Sequence, residues 1–266
     1  MNKTKYLTLP VIIAEIALTL ALILGLFVGY HFIATSAQTD KAQNQAQSEL
    51  ADKWSTHNAK EGTIEETDEV PGEAVGLIRA PKLGDDWQYA FFRGTDKDTL
   101  AKGPGMYPYY STKDTKHPSV KNLGLAAHRD GWDAPFENID QFDTCDQIDI
   151  EYRTKIVHYL VLPTSGDPVE RRQQIKDKGC FNSMPEVIHQ ITDVHPYDNL
   201  EGVHVTDPSD VNVVMPIPGN PNVDAEPSEL PGLNLLTLTS CHPHWSNGQR
   251  IIVHALAWST TKKIAP

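Results

Sequence analysis

An unbroken apolar run near the amino end, Val11 to Ala34 (VIIAEIALTLALILGLFVGYHFIA), constrains this chain more than any other feature; only Glu15 and the weakly polar Thr19, Tyr30 and His31 interrupt it. As a helix these 24 residues rise about 36 Å, enough for the ~30 Å hydrocarbon core of a bilayer. A cleavable leader carries a shorter apolar stretch and a small-residue cleavage site, for which Thr35-Ser36-Ala37 is a poor match. Residues 11–34 therefore read as an uncleaved transmembrane anchor and residues 1–10 as a cytoplasmic amino terminus. Lys3 and Lys5 precede the span, whereas Lys41 beyond it is offset by Asp40. That bias keeps the amino end inside and puts the rest of the chain outside the cell membrane, as a single-pass protein. Glu15 lies near the cytoplasmic edge, shallow enough for hydration.

Residues 35–72 are rich in Gln, Ala, Ser, Asn and acids with almost no alternating apolar pattern, so they read as a flexible extracellular stalk. The Ala and Gln between Lys41 and Lys53 suit a short helix, and the acidic run Glu65, Glu66, Asp68 and Glu69 reads as a solvated spacer. From residue 73 to 260 the pattern changes to short β-branched or aromatic runs with Gly, Pro, Asn and Asp between them: AVGLIRAP, WQYAFFRGT, NLGLAAH, QIDIEY, KIVHYLVLP, DVNVVMPIP, LNLLTLTSC and RIIVHALAW. Eight such runs predict an all-β domain, an antiparallel sandwich or a closed barrel. The wider spacing between Thr164 and Val205 predicts one or two inserted short helices, and residues 261–266 form a tail.

The net charge of −12 opposes binding to nucleic acid. No Gly-rich phosphate loop follows a strand, so no cofactor is expected. Three cysteines, Cys145, Cys180 and Cys241, are too few for a disulfide scaffold or a Cys₄ metal site. Cys241-His242-Pro243-His244 hints at metal ligation, but the proline bends the chain between the imidazoles and no second ligand pair lies nearby, so no metal is expected.

Leu233 to Trp258 carries the chemistry. Alternation brings a strand up to Cys241, the loop HPHWSNGQ follows, and the next strand starts at Arg250. Antiparallel pairing makes Cys241 and Arg250 neighbours, and a cation favours the nucleophilic thiolate. Among eleven histidines, His128 stands at another strand end, followed by the turn Arg129-Asp130-Gly131. Asp130 there either orients the His128 ring or caps its own turn, the commoner outcome. His158 and His254 lie within apolar strands and read as hydrogen-bonded core or face residues. Cysteine, histidine and arginine at three strand ends compose a thiol acyl-transfer site.

AAHRDG, then TLTSCHP, then Arg250, behind one amino-terminal anchor, resemble the sortases of Gram-positive bacteria, most of all class E, the actinobacterial branch that often serves as the housekeeping enzyme. GLIRAPKLG, KGPGMYP and APFENID occur in the expected order. The resemblance implies an eight-stranded closed β-barrel and a catalytic triad of His128, Cys241 and Arg250. It also implies cleavage of an LAxTG- or LPxTG-like sorting signal between Thr and Gly through a thioacyl enzyme. A peptidoglycan-precursor amine would accept the exported surface protein. Backbone or hydroxyl groups at Thr239 and Ser240 are candidates for the oxyanion hole, and Trp245 is a candidate to line the substrate groove. Trp87 occupies the place where the family often has a Tyr favouring Ala at the second signal position, with Tyr89 two residues on. Ser240 replaces the usual Thr before the cysteine, and no Asp-Pro-aromatic lid motif or second span points to pilin polymerisation. Cys145 and Cys180, exported and outside the motif, are the candidate disulfide, with two unrelated thiols as the alternative. Two rival classes are a non-catalytic anchored adhesin and an L,D-transpeptidase; the latter normally shows a Ser-His-Gly-Cys type motif, which this sequence lacks.

Overall fold

Short runs rich in branched and aromatic side chains form β1 (Ala74–Arg79), β2 (Gln88–Arg93), β4 (Lys121–Ala126), β5 (Gln147–Glu151), β6 (Lys155–Val161), β7 (Val203–Thr206), β8 (Asn234–His242) and β9 (Gln249–Lys262), and the two-residue β3 (Gly105–Met106) lies between β2 and β4. The computed structural model describes residues 9–55, 70–108, 121–184, 191, 197–198, 200–219 and 233–263. The acidic run at Glu65 to Glu69, residues 1–8 of the amino terminus and residues 264–266 of the tail lie outside the described residues. In the sheet order β6-β5-β1-β2-β3-β4-β8-β9, β6 also pairs with β9, so these eight strands close a barrel. β7 lies outside the ring beside the first part of β9, with Val203 opposite Val253 and Thr206 opposite Arg250. Further along β9, β6 takes that edge, from Val161 opposite Ala255 to Lys155 opposite Lys262.

Ile78, Phe91, Leu125, Ile150, Leu238 and Val253 fill the barrel. The outward residues Leu235 and Leu256 are buried too, because Ile175, Phe181 and Tyr197 of the inserted segment cover them. β8 is thus buried on both faces, with Thr237, Thr239 and Ser240 among its buried residues. The expected inserted helix is α3 (Pro168–Lys178; α1 and α2 are given below): Asp167 caps the amide nitrogens of Val169 and Glu170, and Gly179 ends it at φ 71°. Buried Arg171 in α3 donates to the carbonyls of Ile191 (2.6 Å), Leu200 (2.9 Å) and Asp198, fastening the insertion. Cys145 and Cys180 are joined by a disulfide with Cα atoms 6.0 Å apart, which ties this layer to the start of β5.

The strand roster differs from the sequence reading in three places. DVNVVMPIP is no strand: Val211–Val214 form a 3₁₀ turn capped by Asp210, and Val213 and Val214 pack on the outside of the barrel. Pro216 and Pro218 cannot donate to a ladder. β3, two residues long, completes the ring instead, and β7 arises at the end of the segment read as helical insertion.

The largest departure concerns the stalk. The apolar run belongs to α1, which continues without a break from Leu9 to Ser55, 47 residues, so residues 35–55 are helix rather than flexible chain. Its first half exposes large apolar side chains such as Leu18, Leu22 and Leu26, and it is long and apolar enough to cross a membrane. In its second half one face, Thr35, Thr39, Gln43, Ala46 and Leu50, is buried. Ala46 and Leu50 pack on Leu77, Ala90 and Phe92 of β1 and β2. Gln43 Oε1 accepts from the Ala90 amide (2.7 Å), while its Nε2 donates to the carbonyls of Ala90 (3.0 Å) and Lys102 (2.7 Å). Thr39 donates to the Ala101 carbonyl (2.9 Å). The short helix α2 (Lys97–Leu100), capped by Asp96, immediately precedes the carbonyls of Ala101 and Lys102. A helix that docks on backbone groups needs polar side chains on its buried face, so it shows no apolar stripe to a reader of the sequence.

Candidate active site

Two ladders meet at Cys241. β4 and β8 are parallel neighbours whose last pair is Ala126 with Thr239, so His128 and Cys241 each lie two residues further along adjacent chains, His128 just past the end of β4 and Cys241 still within β8. The Ala127 amide still donates to the Thr239 carbonyl (3.2 Å). On the other flank β8 and β9 run antiparallel with Cys241 opposite Arg250, and directly opposed residues project from the same face. His128, Arg129, Asp130, Cys241, Trp245, Ser246 and Asn247 line an open cleft of about 450 Å³. Arg250 stands beside this lining, its guanidinium folded onto the carbonyls of Asn247 (3.1 Å) and Gln249 (2.9 Å). Cys241 is a free thiol.

The chain beyond His128 winds left-handed through four residues, with φ of 66° at Gly131, 52° at Trp132, 60° at Asp133 and 39° at Ala134. For each of the three non-glycine residues this conformation costs on the order of 1 kcal/mol or more. Neighbouring contacts hold it: Tyr89 donates to Asp133 Oδ2 (2.9 Å), Trp87 Nε1 donates to the Pro135 carbonyl (3.2 Å), and the Phe136 amide returns to the His128 carbonyl (3.1 Å). The turn lays the Trp132 ring nearly parallel to His128, with centroids 6.1 Å apart. Burial holds the His128 pKa below the usual histidine value, so the neutral ring is favoured. Burial and the Asp133 bond push the Tyr89 phenol up, and Asp133 itself is raised, first by burial.

The structure thus brings His128 and Cys241 into one cleft, with Arg250 across the ladder and Trp245, 73% exposed, on the wall. The other residues read as substrate contacts are engaged elsewhere. Thr239 and Ser240 are buried, the first sharing a hydrogen bond with Tyr107 Oη (2.9 Å) and the second donating to the Ala127 carbonyl (2.8 Å). Both hydroxyls sew β8 to its surroundings instead of lining the cleft. Trp87 and Tyr89 brace the left-handed turn from behind. His158 bonds Asp149 (2.8 Å) and Thr261 (2.9 Å), and His254 bonds Thr237 (2.9 Å) inside the sheet. Asp130 does not cap its own turn: it reaches His244 Nδ1 (2.8 Å) and the Trp245 amide (2.8 Å). Among the described residues no cluster of three metal-ligating side chains forms.

Sequence reasoning missed Arg129, which is only 2% exposed and bonds to Cys241, His242, His244 and Asp140. The available signal was complementarity: an obligate donor follows His128 in AAHRDG, and two imidazole acceptors follow Cys241 in CHPH.

A model of the sortase domain matches residues 78–257. Sortase SrtE1 of Streptomyces coelicolor is 29% identical over 195 residues, covering 68% of this chain and 53% of the relative. Sortase SrtE2 of the same organism is 29% identical over 161 residues, covering 58% of this chain and 63% of the relative. The chain therefore spans about half to somewhat under two thirds of the curated relatives it matches. Of solved structures, the SrtF sortase from Corynebacterium diphtheriae superposes with a TM-score of 0.62 at 31% identity, covering 77% of this chain and 95% of that one. A Clostridium perfringens Sortase D5 transpeptidase shares the fold at 19% identity and a TM-score of 0.51, over 82% of this chain and 99% of that one.

Proposed function

The chain belongs to the sortase family, and from that premise we propose that it is a membrane-anchored cysteine transpeptidase of class E type. The observation that carries this reading is the meeting of His128 and Cys241 at the ends of parallel neighbours with Arg250 opposite the thiol. Cys241 thiolate attacks the Thr–Gly carbonyl of an LAxTG- or LPxTG-like signal on an exported protein. The resulting tetrahedral oxyanion collapses to a thioester as the C–N bond breaks, and His128, as imidazolium, protonates the departing Gly amine. In the second half neutral His128 takes a proton from the incoming amine of a peptidoglycan precursor, whose nitrogen displaces Cys241 and leaves an amide. Arg250 swings from the carbonyls of its own turn to the substrate backbone and the oxyanion, a role its fork of donors suits.

Residues 11–34 hold the enzyme in the cell membrane with its amino end inside and the barrel outside, where both substrates are tethered. The test is to incubate the full-length protein in vesicles with a labelled sorting-signal peptide. Mass spectrometry should find the acyl fragment on Cys241, and added amine should release it as an amide. A panel varying the second signal position then decides between Ala and Pro. An unmodified Cys241 in folded protein, across that panel, overturns the reading.

A further inference from the structure

We infer that Arg129 is a positioning residue that locks the loop following Cys241 to the loop following His128. This deepens the transfer reading of the cleft and rests on it. The β4–β8 ladder ends at Ala126 and Thr239, short of both reacting side chains. Past that point Arg129 continues the attachment with its side chain. Nε donates to His244 Nε2 (3.2 Å), and Nη1 donates to His242 Nδ1 (2.7 Å) and, at 3.4 Å, to the Cys241 carbonyl. Three of its four partners thus belong to Cys241 and the three residues after it. The fourth, Asp140, balances the buried charge through Nη2 at 2.6 Å. Asp130 answers from the same loop by accepting from His244 Nδ1 and the Trp245 amide, both at 2.8 Å.

A guanidinium only donates, so His242 Nδ1 and His244 Nε2 must each present a lone pair, and His244 carries its proton on Nδ1 toward Asp130. Asp130 and Asp140 are the carboxylates that face the cluster. Arg129 reaches the backbone of Cys241 and never its sulfur, so it acts by fixing where the thiol stands relative to His128. Misplacing reacting groups by about 1 Å is enough to cost on the order of 100-fold in rate.

The experiment is single-turnover acylation of full-length protein in vesicles by a sorting-signal peptide, expressed per reactive Cys241 thiol and followed against pH, with melting temperature recorded beside it. Arg129→Gln should slow acylation per site by about 10–100-fold while the KM for peptide stays within about threefold. Arg129→Lys should not rescue it, because one ammonium cannot span both imidazoles. His244→Gln should also slow it, and the double variant should be no slower than Arg129→Gln alone. Should Arg129→Gln fail to fold, the comparison passes to His242, where Asn keeps an acceptor and Leu removes it: Asn should run near wild type and Leu well below. Per-site rates within twofold of wild type in Arg129→Gln, multiplicative losses in the double variant, or equal rates for the two His242 variants each overturn the inference. Wild-type protein that never acylates overturns the transfer reading itself, whereas a fast wild type beside an equally fast Arg129→Gln overturns only the clamp.

Discussion

Two arginines flank Cys241 and are treated in opposite ways. Arg129, on the His128 side, is buried and bonds to Cys241, two imidazoles and a carboxylate. Arg250, on the far side, is half-buried and, among the described residues, its guanidinium holds two carbonyls of its own turn. Arg129 has exchanged water for four protein acceptors and is held in place without substrate. Arg250 keeps contacts that water or a peptide can replace at little cost. One side of the nucleophile is built and the other is held in reserve.

Variants can separate these two uses. The largest effect belongs to the group both sides serve: Cys241→Ala should lose acylation entirely while keeping its melting temperature, and turnover above a few per cent of wild type would remove the thiol from the chemistry. Next is Arg250→Lys, which should cost ~2–4 kcal/mol of transition-state stabilisation, the range for removing an oxyanion donor, with the melting temperature unchanged. A near-normal kcat/KM there would make Arg250 structural and erase the contrast.

Reducing the disulfide between Cys145 and Cys180 should do the converse. Its 35-residue separation gives it about 4 kcal/mol in the chain-entropy model, so stability should fall while the per-site rate of the folded fraction holds. Thiol counting on denatured, unreduced protein should find one free thiol, and three would contradict the bridge. Arg129→Gln falls between these extremes, losing both rate and, on the order of 1 kcal/mol, stability, since it leaves part-buried acceptors without a donor.

The smallest effect is a shift in pH. Burial lowers the His128 pKa, so its ring takes up a proton only at a pH below that of a free histidine. Where the reactive form pairs a thiolate with this imidazolium, the lower of the two titrations sets the acid limb of the rate profile. Trp132→Ala re-exposes the ring, raises its pKa toward the ordinary value and should move the acid limb to higher pH. A limb that stays in place would show that the left-handed turn does not control the ring.

What the sequence discloses follows from how locally each feature is encoded. The opposition of Cys241 and Arg250 needs only two strands and a short loop, so alternation in LNLLTLTSC and RIIVHALAW was enough to place it. Asp167-Pro168 and Gly179 are likewise local signals that mark the ends of α3. The parallel contact of β4 with β8 joins segments more than 100 residues apart, and no periodicity records it. The same distance hides the partners of Arg129. Trp87 and Tyr89 sit where a family comparison expects substrate contacts, yet a strained turn needed bracing and took them. Of the helix from Thr35 to Ser55 the sequence predicts only a short stretch between Lys41 and Lys53; its continuity with the apolar run and its docking escape notice because Thr35, Thr39 and Gln43 make the start of the buried face read polar, the ligands of Thr39 and Gln43 being carbonyls and an amide rather than side chains.

That helix gives the enzyme a sense of altitude. Docking begins at Thr35, the first residue after the apolar run, so in the proposed topology no slack separates the lipid from the barrel. Asp40 stands six residues past Ala34, about 9 Å along the helix axis. It borders the same hollow as Trp87, Tyr89 and Asp133, and its charge raises both Tyr89 and Asp133. In the proposed topology the turn that carries Trp132 to His128 therefore hangs roughly one helical turn or two above the bilayer. Under the proposed function, an enzyme so mounted would work in a thin layer over the lipid and sort its clients by the length of their tethers: a signal close to its own membrane anchor would enter the cleft, and the same signal on a long spacer would float past it.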